Sequence, residues 1–196
     1  MIIESSKELL SHATRAKLRC PHLRGRYVGP SEGDHKLMVV GEAPGAEEEE
    51  AYAPFVGQAG RTLRAALAAC ELPDPYITNA VKYRPKTDSG EGNRPPEWIE
   101  LMAFRPLLLA EINLVRPRCL LCLGGSAAKA LSAKEELRVS HYVGKRVTVA
   151  LSEHKLEVPC IITWHPSYVN HNGGVGSRAY YEFLESVKEA KRIAYL

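Results

Sequence analysis

The sequence predicts an α/β fold: a three-layer α/β/α arrangement around a central four-stranded, mostly parallel sheet. Three observations carry this. Four short apolar or β-branched runs recur along the chain, each closed by a Gly, a Pro or a polar residue. The intervals between them carry helical periodicity, and strand–helix alternation yields a parallel sheet covered on both faces. Apolar residues make up 45% and charged residues 25% of the 196 residues, the balance of a globular chain with a sizeable core.

The elements follow in order. "MIIESSKELLSHATRAKLRC" reads as an amphipathic helix, without the charged-then-apolar pattern of a secretory leader. "KLMVVG" at 36–41 is the first strand, and "GEAPGAEEEEAYAPFVGQAG" at 41–60 is the loop leaving its carboxyl end. "GRTLRAALAAC" at 60–70 has apolar positions 63, 66, 67 and 70, one face of a helix. "YITNAVK" at 76–82 is the second strand, and "KTDSGEGNRPP" at 86–96 is a polar, Gly/Pro-rich loop expected to be the least ordered segment. "PPEWIELMAFRPLLLAEINLV" at 95–115 opens a helix on a proline pair and is expected to kink near Pro106. "CLLCLG" at 119–124 is the third strand, followed directly by a helix at 125–132. "LRVSHYVGKRVTVAL" at 137–151 suggests a small hairpin, "VPCIITW" at 158–164 the last strand, and "SRAYYEFLESVKEAKRIAYL" a final amphipathic helix.

With neither a repeat nor a domain-scale linker, residues 1–196 read as one domain, and a monomer is expected. No run of 18 apolar residues suggests a membrane span, so a cytoplasmic location and no membrane partner are expected. A net charge of +3 permits a local nucleic-acid patch without demanding one. The five cysteines are odd in number and lie mostly in apolar surroundings, unlike a secreted disulfide framework. Cys119 and Cys122 form a C-x-x-C pair inside a strand, where residues three apart face opposite ways, so both read as core cysteines.

Ligand sites of parallel sheets lie at the carboxyl ends of the strands. Here those ends carry "GEAPG", "TNAVKYRP", "GGSAAK" and "WHPSYVN", which place Glu42, Asn79, Ser126 and His165 on one rim. A carboxylate, an amide, a histidine and the nearby Phe55 suit a flat, uncharged, hydrogen-bonding ring. The loop at 41–60 carries carboxylates where a phosphate loop would carry Gly-rich turns and a lysine. Each residue also has a plainer reading: His before Pro as a turn, Asn as a strand-end cap, Phe55 as a core plug. Four successive glutamates read most simply as the solvated start of a helix.

In combination, "GEAPGAEEEE…PFVGQAGRTL", "YITNAVKYRP", "CLLCLGGSAAKAL" and "WHPSYV" resemble the uracil-DNA glycosylase superfamily, most closely its family 4, over roughly residues 18–190. The resemblance implies removal of uracil from single- or double-stranded DNA, the base being flipped from the stack into a pocket. It implies that Phe55 stacks on the ring and that Asn79 reads the N3–H and O4 edge. Glu48 would crowd the C5 position against the thymine methyl. His165 would donate to O2 as negative charge develops there, helped by the Ala43 backbone N–H. By analogy with the family, Glu42 would position or activate the attacking water; other families of the superfamily carry Asp one place later, where this chain has Ala43. Ser167, Tyr168 and Val169 fall in the segment that enters DNA, with Tyr168 and Val169 as wedges. Arg178 and Ser126 would contact phosphate.

One departure stands out. Family 4 usually binds a [4Fe–4S] cluster through four cysteines, but here Cys20 is followed at the other three positions by Leu23, Tyr83 and Phe104. One thiolate cannot hold such a cluster, so no cofactor and no metal are expected. His22 beside Cys20 gives only two zinc-type ligands. Two rival readings remain: a non-catalytic binder of uracil-containing or single-stranded DNA, and a glycosylase for another deaminated base. A nucleotide-binding α/β protein of another class is disfavoured by the missing Gly-x-Gly-x-x-Gly and Gly-Lys-Ser/Thr motifs.

Overall fold

A computed structural model describes residues 6–151 and 156–196. The elements are α1 (Ser6–Leu18), β1 (Asp34–Gly41), α2 (Ala46–Ala51), α3 (Gln58–Ala69), β2 (Pro75–Asn79), α4 (Trp98–Val115), β3 (Cys119–Leu123) and α5 (Gly124–Ser132). A 3-10 turn (Val139–His141) leads to β4 (Arg146–Leu151), β5 (Leu156–Thr163), α6 (Pro166–His171) and α7 (Arg178–Tyr195). The strands lie in the order β2-β1-β3-β5-β4. β2, β1, β3 and β5 run parallel, the four strands expected from the sequence.

The sheet has a fifth strand. β4 pairs antiparallel with β5, with Val147 opposite Cys160 and Val149 opposite Val158. The segment expected to fold into its own hairpin thus supplies one strand and takes β5 as its partner, which covers the β5 edge.

Alternate residues of each strand feed two apolar layers. Met38, Val40, Leu120, Cys122, Cys160 and Ile162 face the layer built with α1, α4 and α5. Leu37, Val39, Cys119, Leu121, Leu123 and Ile161 face the layer built with α3, α6 and α7. Cys119 and Cys122 therefore diverge to opposite faces as their spacing implies, and all five cysteines are buried free thiols. α4 runs unbroken through Pro106.

Segment 86–96 is folded, contrary to its composition. Lys86 bridges Asn93, Thr87 N–H donates to Gly92 O at 3.1 Å, and Arg94 N–H donates to Pro85 O at 3.1 Å. The loop becomes a short hairpin standing against the carboxyl ends of the strands. Among the described residues, no helix is long and apolar enough to cross a membrane.

Candidate active site

The carboxyl ends of β1 and β2 and the loop before α6 enclose a cleft of about 590 Å³. Glu42, Ala43, Glu48, Phe55, Asn79, His165 and Ser167 all line it, so seven of the residues singled out in the sequence meet there.

At the end of β1, Gly41 pairs with Asn79 in the sheet. A Cβ on Gly41 would stand 2.4 Å from Phe55 Cζ and 2.5 Å from Asn79 Oδ1, so only hydrogen lets the ring and the amide approach this closely. Phe55 is buried and has a left-handed backbone, φ 55°. The start of α3 presses on that backbone: a Cβ on Gly60 would lie 1.8 Å from Phe55 O. Gly60 is the last glycine of "GQAG", and its spacing to Phe55 reflects this contact. The Asn79 side-chain amide, 4% exposed, has no hydrogen-bond partner among the described residues. An amide facing a cleft without a partner is a reader waiting for a ligand edge.

Glu48 joins the two halves of the long loop. Its carboxylate accepts from Gly45 N–H at 3.1 Å and from Gly57 N–H at 2.8 Å, which fixes it in the cleft wall. Its neighbour Glu49 is buried, against the solvated reading of the glutamate run, and accepts from Arg26 N–H at 2.7 Å, Lys86 at 3.0 Å and Arg84 at 3.2 Å. Desolvation raises its carboxyl pKa, but these donors outweigh that and hold it below the usual range.

Glu42 accepts the Ser126 hydroxyl hydrogen at Oε2, 2.6 Å away. Burial raises the Glu42 pKa, opposed by the Ser126 hydrogen bond. Ser126, expected to contact phosphate, thus faces the carboxylate.

His165 caps α6. Ser167 N–H approaches its Nδ1 at 3.3 Å and Ser167 Oγ lies 2.7 Å from the same atom. With Nδ1 accepting, the ring hydrogen sits on Nε2. Burial lowers the His165 pKa from 6.5 to about 4, only partly opposed by the Glu48 carboxylate, so the ring is neutral at neutral pH. Its centroid is 6.0 Å from that of Phe55.

The remaining residues lie outside the cleft. Tyr168 is exposed and stacks on Trp164, centroids 4.4 Å apart at 22°. Arg178 is exposed and pairs with Glu182 at 2.7 Å, and both Tyr168 and Arg178 line a neighbouring depression of about 850 Å³. Val169, expected from the sequence to be a wedge, is instead 0% exposed within the apolar layer of α3, α6 and α7, where a wedge cannot form. The helical turn that exposes Tyr168 directs its neighbour inward.

Two residues escaped the sequence reading. Asn93 lines the cleft, its Oδ1 accepting from Arg84 Nε at 2.5 Å, with its Nδ2 near Gly45. The signal was "NRPP" closing the polar loop. Lys82 is buried beneath Asn79 and donates to its backbone carbonyl at 2.8 Å.

At the family's cluster positions, Cys20, Leu23, Tyr83 and Phe104 are buried together in one apolar layer, with the Tyr83 and Phe104 centroids 5.9 Å apart. One thiol beside a leucine, a tyrosine and a phenylalanine supplies one of the four thiolates that such a cluster takes, so these residues do not fit it. His22 Nε2 pairs with Glu100 at 2.9 Å, and no group of three His, Cys, Asp or Glu suited to a metal occurs among the described residues.

A strand-end cleft joining an aromatic face, an unpartnered amide, a carboxylate and a neutral histidine defines a pocket for a planar hydrogen-bonding ring. Residues 29–188 match the uracil DNA glycosylase superfamily. Curated relatives named type-4 uracil-DNA glycosylase include one from Pyrobaculum aerophilum, 38% identical over 159 residues, covering 77% of this chain and 78% of the relative. The relative from Thermotoga maritima is 32% identical over 193 residues, 96% of this chain and 94% of its own. That from Saccharolobus solfataricus is 32% identical over 169 residues, 82% and 74% respectively. The chain belongs to the uracil DNA glycosylase superfamily, with similarity to its type-4 members, and is a DNA N-glycosylase, a hydrolase of N-glycosyl bonds.

Proposed function

We propose that this enzyme removes uracil from DNA, leaving an abasic site, and that it works as a single-domain monomer on single- or double-stranded DNA. The observation that carries the reading is the Asn79 amide, without a hydrogen-bond partner among the described residues, set beside Phe55 in the cleft where only a glycine at 41 lets the two approach. A flipped uracil stacks on Phe55, a contact worth roughly 1–3 kcal/mol per base. Asn79 donates to O4 and accepts from N3–H. Cytosine inverts that edge, and a buried mispaired edge supports discrimination of about 10⁴ or more. Glu48, tied by two backbone N–H groups, cannot swing aside, so a thymine methyl at C5 meets a fixed wall.

Bond cleavage leaves positive charge on the sugar and negative charge on uracil O2. Neutral His165 donates from Nε2 to that oxygen, an oxyanion-type stabilisation, and Ala43 N–H supplements it. Glu42, oriented by Ser126, holds or deprotonates the water that attacks C1′. Tyr168, exposed on its Trp164 stack, enters the duplex or strand as the wedge, and Arg178 contacts phosphate by exchanging Glu182 for it. The chain carries this chemistry without an iron–sulfur cluster, whose volume Leu23, Tyr83 and Phe104 fill with apolar packing.

The test is strand scission by alkali after incubation with an end-labelled oligonucleotide bearing one uracil, beside a thymine control and His165→Ala. Scission at uracil alone, weakened in the variant, is expected. Binding of uracil DNA without scission would mark a non-catalytic binder, and scission only at another deaminated base would reassign the substrate.

A further inference from the structure

Beneath the base-reading edge lies a fully buried ion pair that the chemistry above does not use. Lys82 Nζ and Glu111 Oε2 are 2.6 Å apart, with side chains 1% and 0% exposed. Lys82 spends its three hydrogens on Glu111, on Thr78 Oγ1 and on the backbone carbonyl of Asn79 at 2.8 Å. The second Glu111 oxygen accepts from Tyr76 OH at 2.9 Å. Tyr76, Thr78 and Asn79 all belong to β2, and Glu111 is rooted on α4.

Such a pair is a poor device for stability. Removing two charges from water costs several kcal/mol per ion, and apolar replacements of similar volume are often neutral or stabilising. Its location is more informative. The peptide it braces carries Asn79, whose amide has no hydrogen-bond partner among the described residues. The same turn is stitched to the other half of the cleft, with Ala80 N–H donating to Gly41 O at 2.9 Å and Val81 N–H to Glu42 O at 3.0 Å. We propose that Lys82, anchored by Glu111 on α4, is a positioning residue for base recognition: it fixes the strand-end backbone from which Asn79 reaches the base. This rests on the reading of Asn79 as the residue that meets uracil. An ångström of misplacement at such a site can cost roughly 10²-fold in rate.

The test uses two variants of the whole chain. Tyr76→Phe/Lys82→Met/Glu111→Leu removes the network as a unit and leaves an apolar core, whereas Glu111→Gln keeps the shape and removes the anchoring charge. Val187→Ala, a core truncation in α7 outside the cleft, controls for general loss of stability. Single-turnover uracil release under saturating enzyme and the Kd for uracil-free DNA are measured for each. Release is expected to fall about 10²-fold in the triple variant and about tenfold in Glu111→Gln, with the Kd within about twofold of wild type. Val187→Ala should release uracil at nearly the wild-type rate. A folded triple variant, or a Glu111→Gln protein, with wild-type release would overturn the proposal; if the triple variant does not fold, Glu111→Gln decides alone. Failure of the wild-type protein to release uracil would instead remove the reading on which it rests.

Discussion

The Ser126 hydroxyl donates to Glu42 Oε2 across 2.6 Å, joining the start of α5 to the loop after β1. A hydrogen bond to a charged group contributes about 1.5–3 kcal/mol. Burial already raises the Glu42 pKa, and Ser126 opposes the rise. The acidic limb of the rate profile should therefore lie above the ordinary carboxylate range. Ser126→Ala should move that limb further up, lowering the rate most at mildly acid pH, roughly tenfold. Glu42→Gln should abolish the limb and cost about 10²-fold or more in kcat. The check is kcat/KM against pH for the three proteins.

His165 gives a separate pH signature. Its pKa falls from 6.5 to about 4 on folding, because burial disfavours the imidazolium. Between those values the unfolded chain binds a proton that the folded chain refuses. The stability associated with His165 is therefore complete above pH 6.5 and is lost as pH falls toward 4, by about 3 kcal/mol in all. His165→Gln should flatten this dependence in urea unfolding across that window. Activity should show no inflection near 6.5 in the wild-type enzyme.

Gly41→Ala tests the close approach of Phe55 to Asn79. Its new methyl would meet Phe55 Cζ at 2.4 Å and Asn79 Oδ1 at 2.5 Å, both part of the proposed base contact. Uracil release should drop at least about 10²-fold while the circular dichroism spectrum keeps its α/β form. An active variant would mean that base release does not depend on this approach of Phe55 and Asn79.

The apolar packing at Cys20, Leu23, Tyr83 and Phe104 yields a stability prediction. Phe104→Ala empties a site that is 0% exposed and should cost about 3–5 kcal/mol in denaturant unfolding. Cys20→Ala should leave uracil release unchanged within about twofold. A strong loss of activity there would give that thiol a role beyond packing.

The strand ends were legible because apolar runs closing on Gly41, Asn79, Gly124 and His165 mark where a parallel sheet opens to a ligand. Glu42, Asn79, Ser126 and His165 follow from that, whereas Phe55, in the middle of the loop after β1, took its role from the family motif. Lys82 was not legible: a lysine after an apolar run reads as a solvated strand end, and only the fold brings Glu111 from 29 residues away to meet it. Glu49 was hidden for a similar reason, since its partners Arg26, Arg84 and Lys86 come from distant loops. Val169 shows the reverse failure. Adjacent residues on a short helix can divide between surface and core, and the motif does not say which goes where. β4 was blurred because an alternating edge strand next to glycine reads equally well as a free hairpin.

The most direct measurement is chromatographic detection of the free base released from DNA by a chelator-treated preparation whose iron content is determined alongside. Free uracil is expected as the product, with cytosine and thymine retained, from protein holding no stoichiometric iron. Intact DNA after prolonged incubation, or uracil release that appears only once an iron–sulfur cluster is restored, would contradict that expectation.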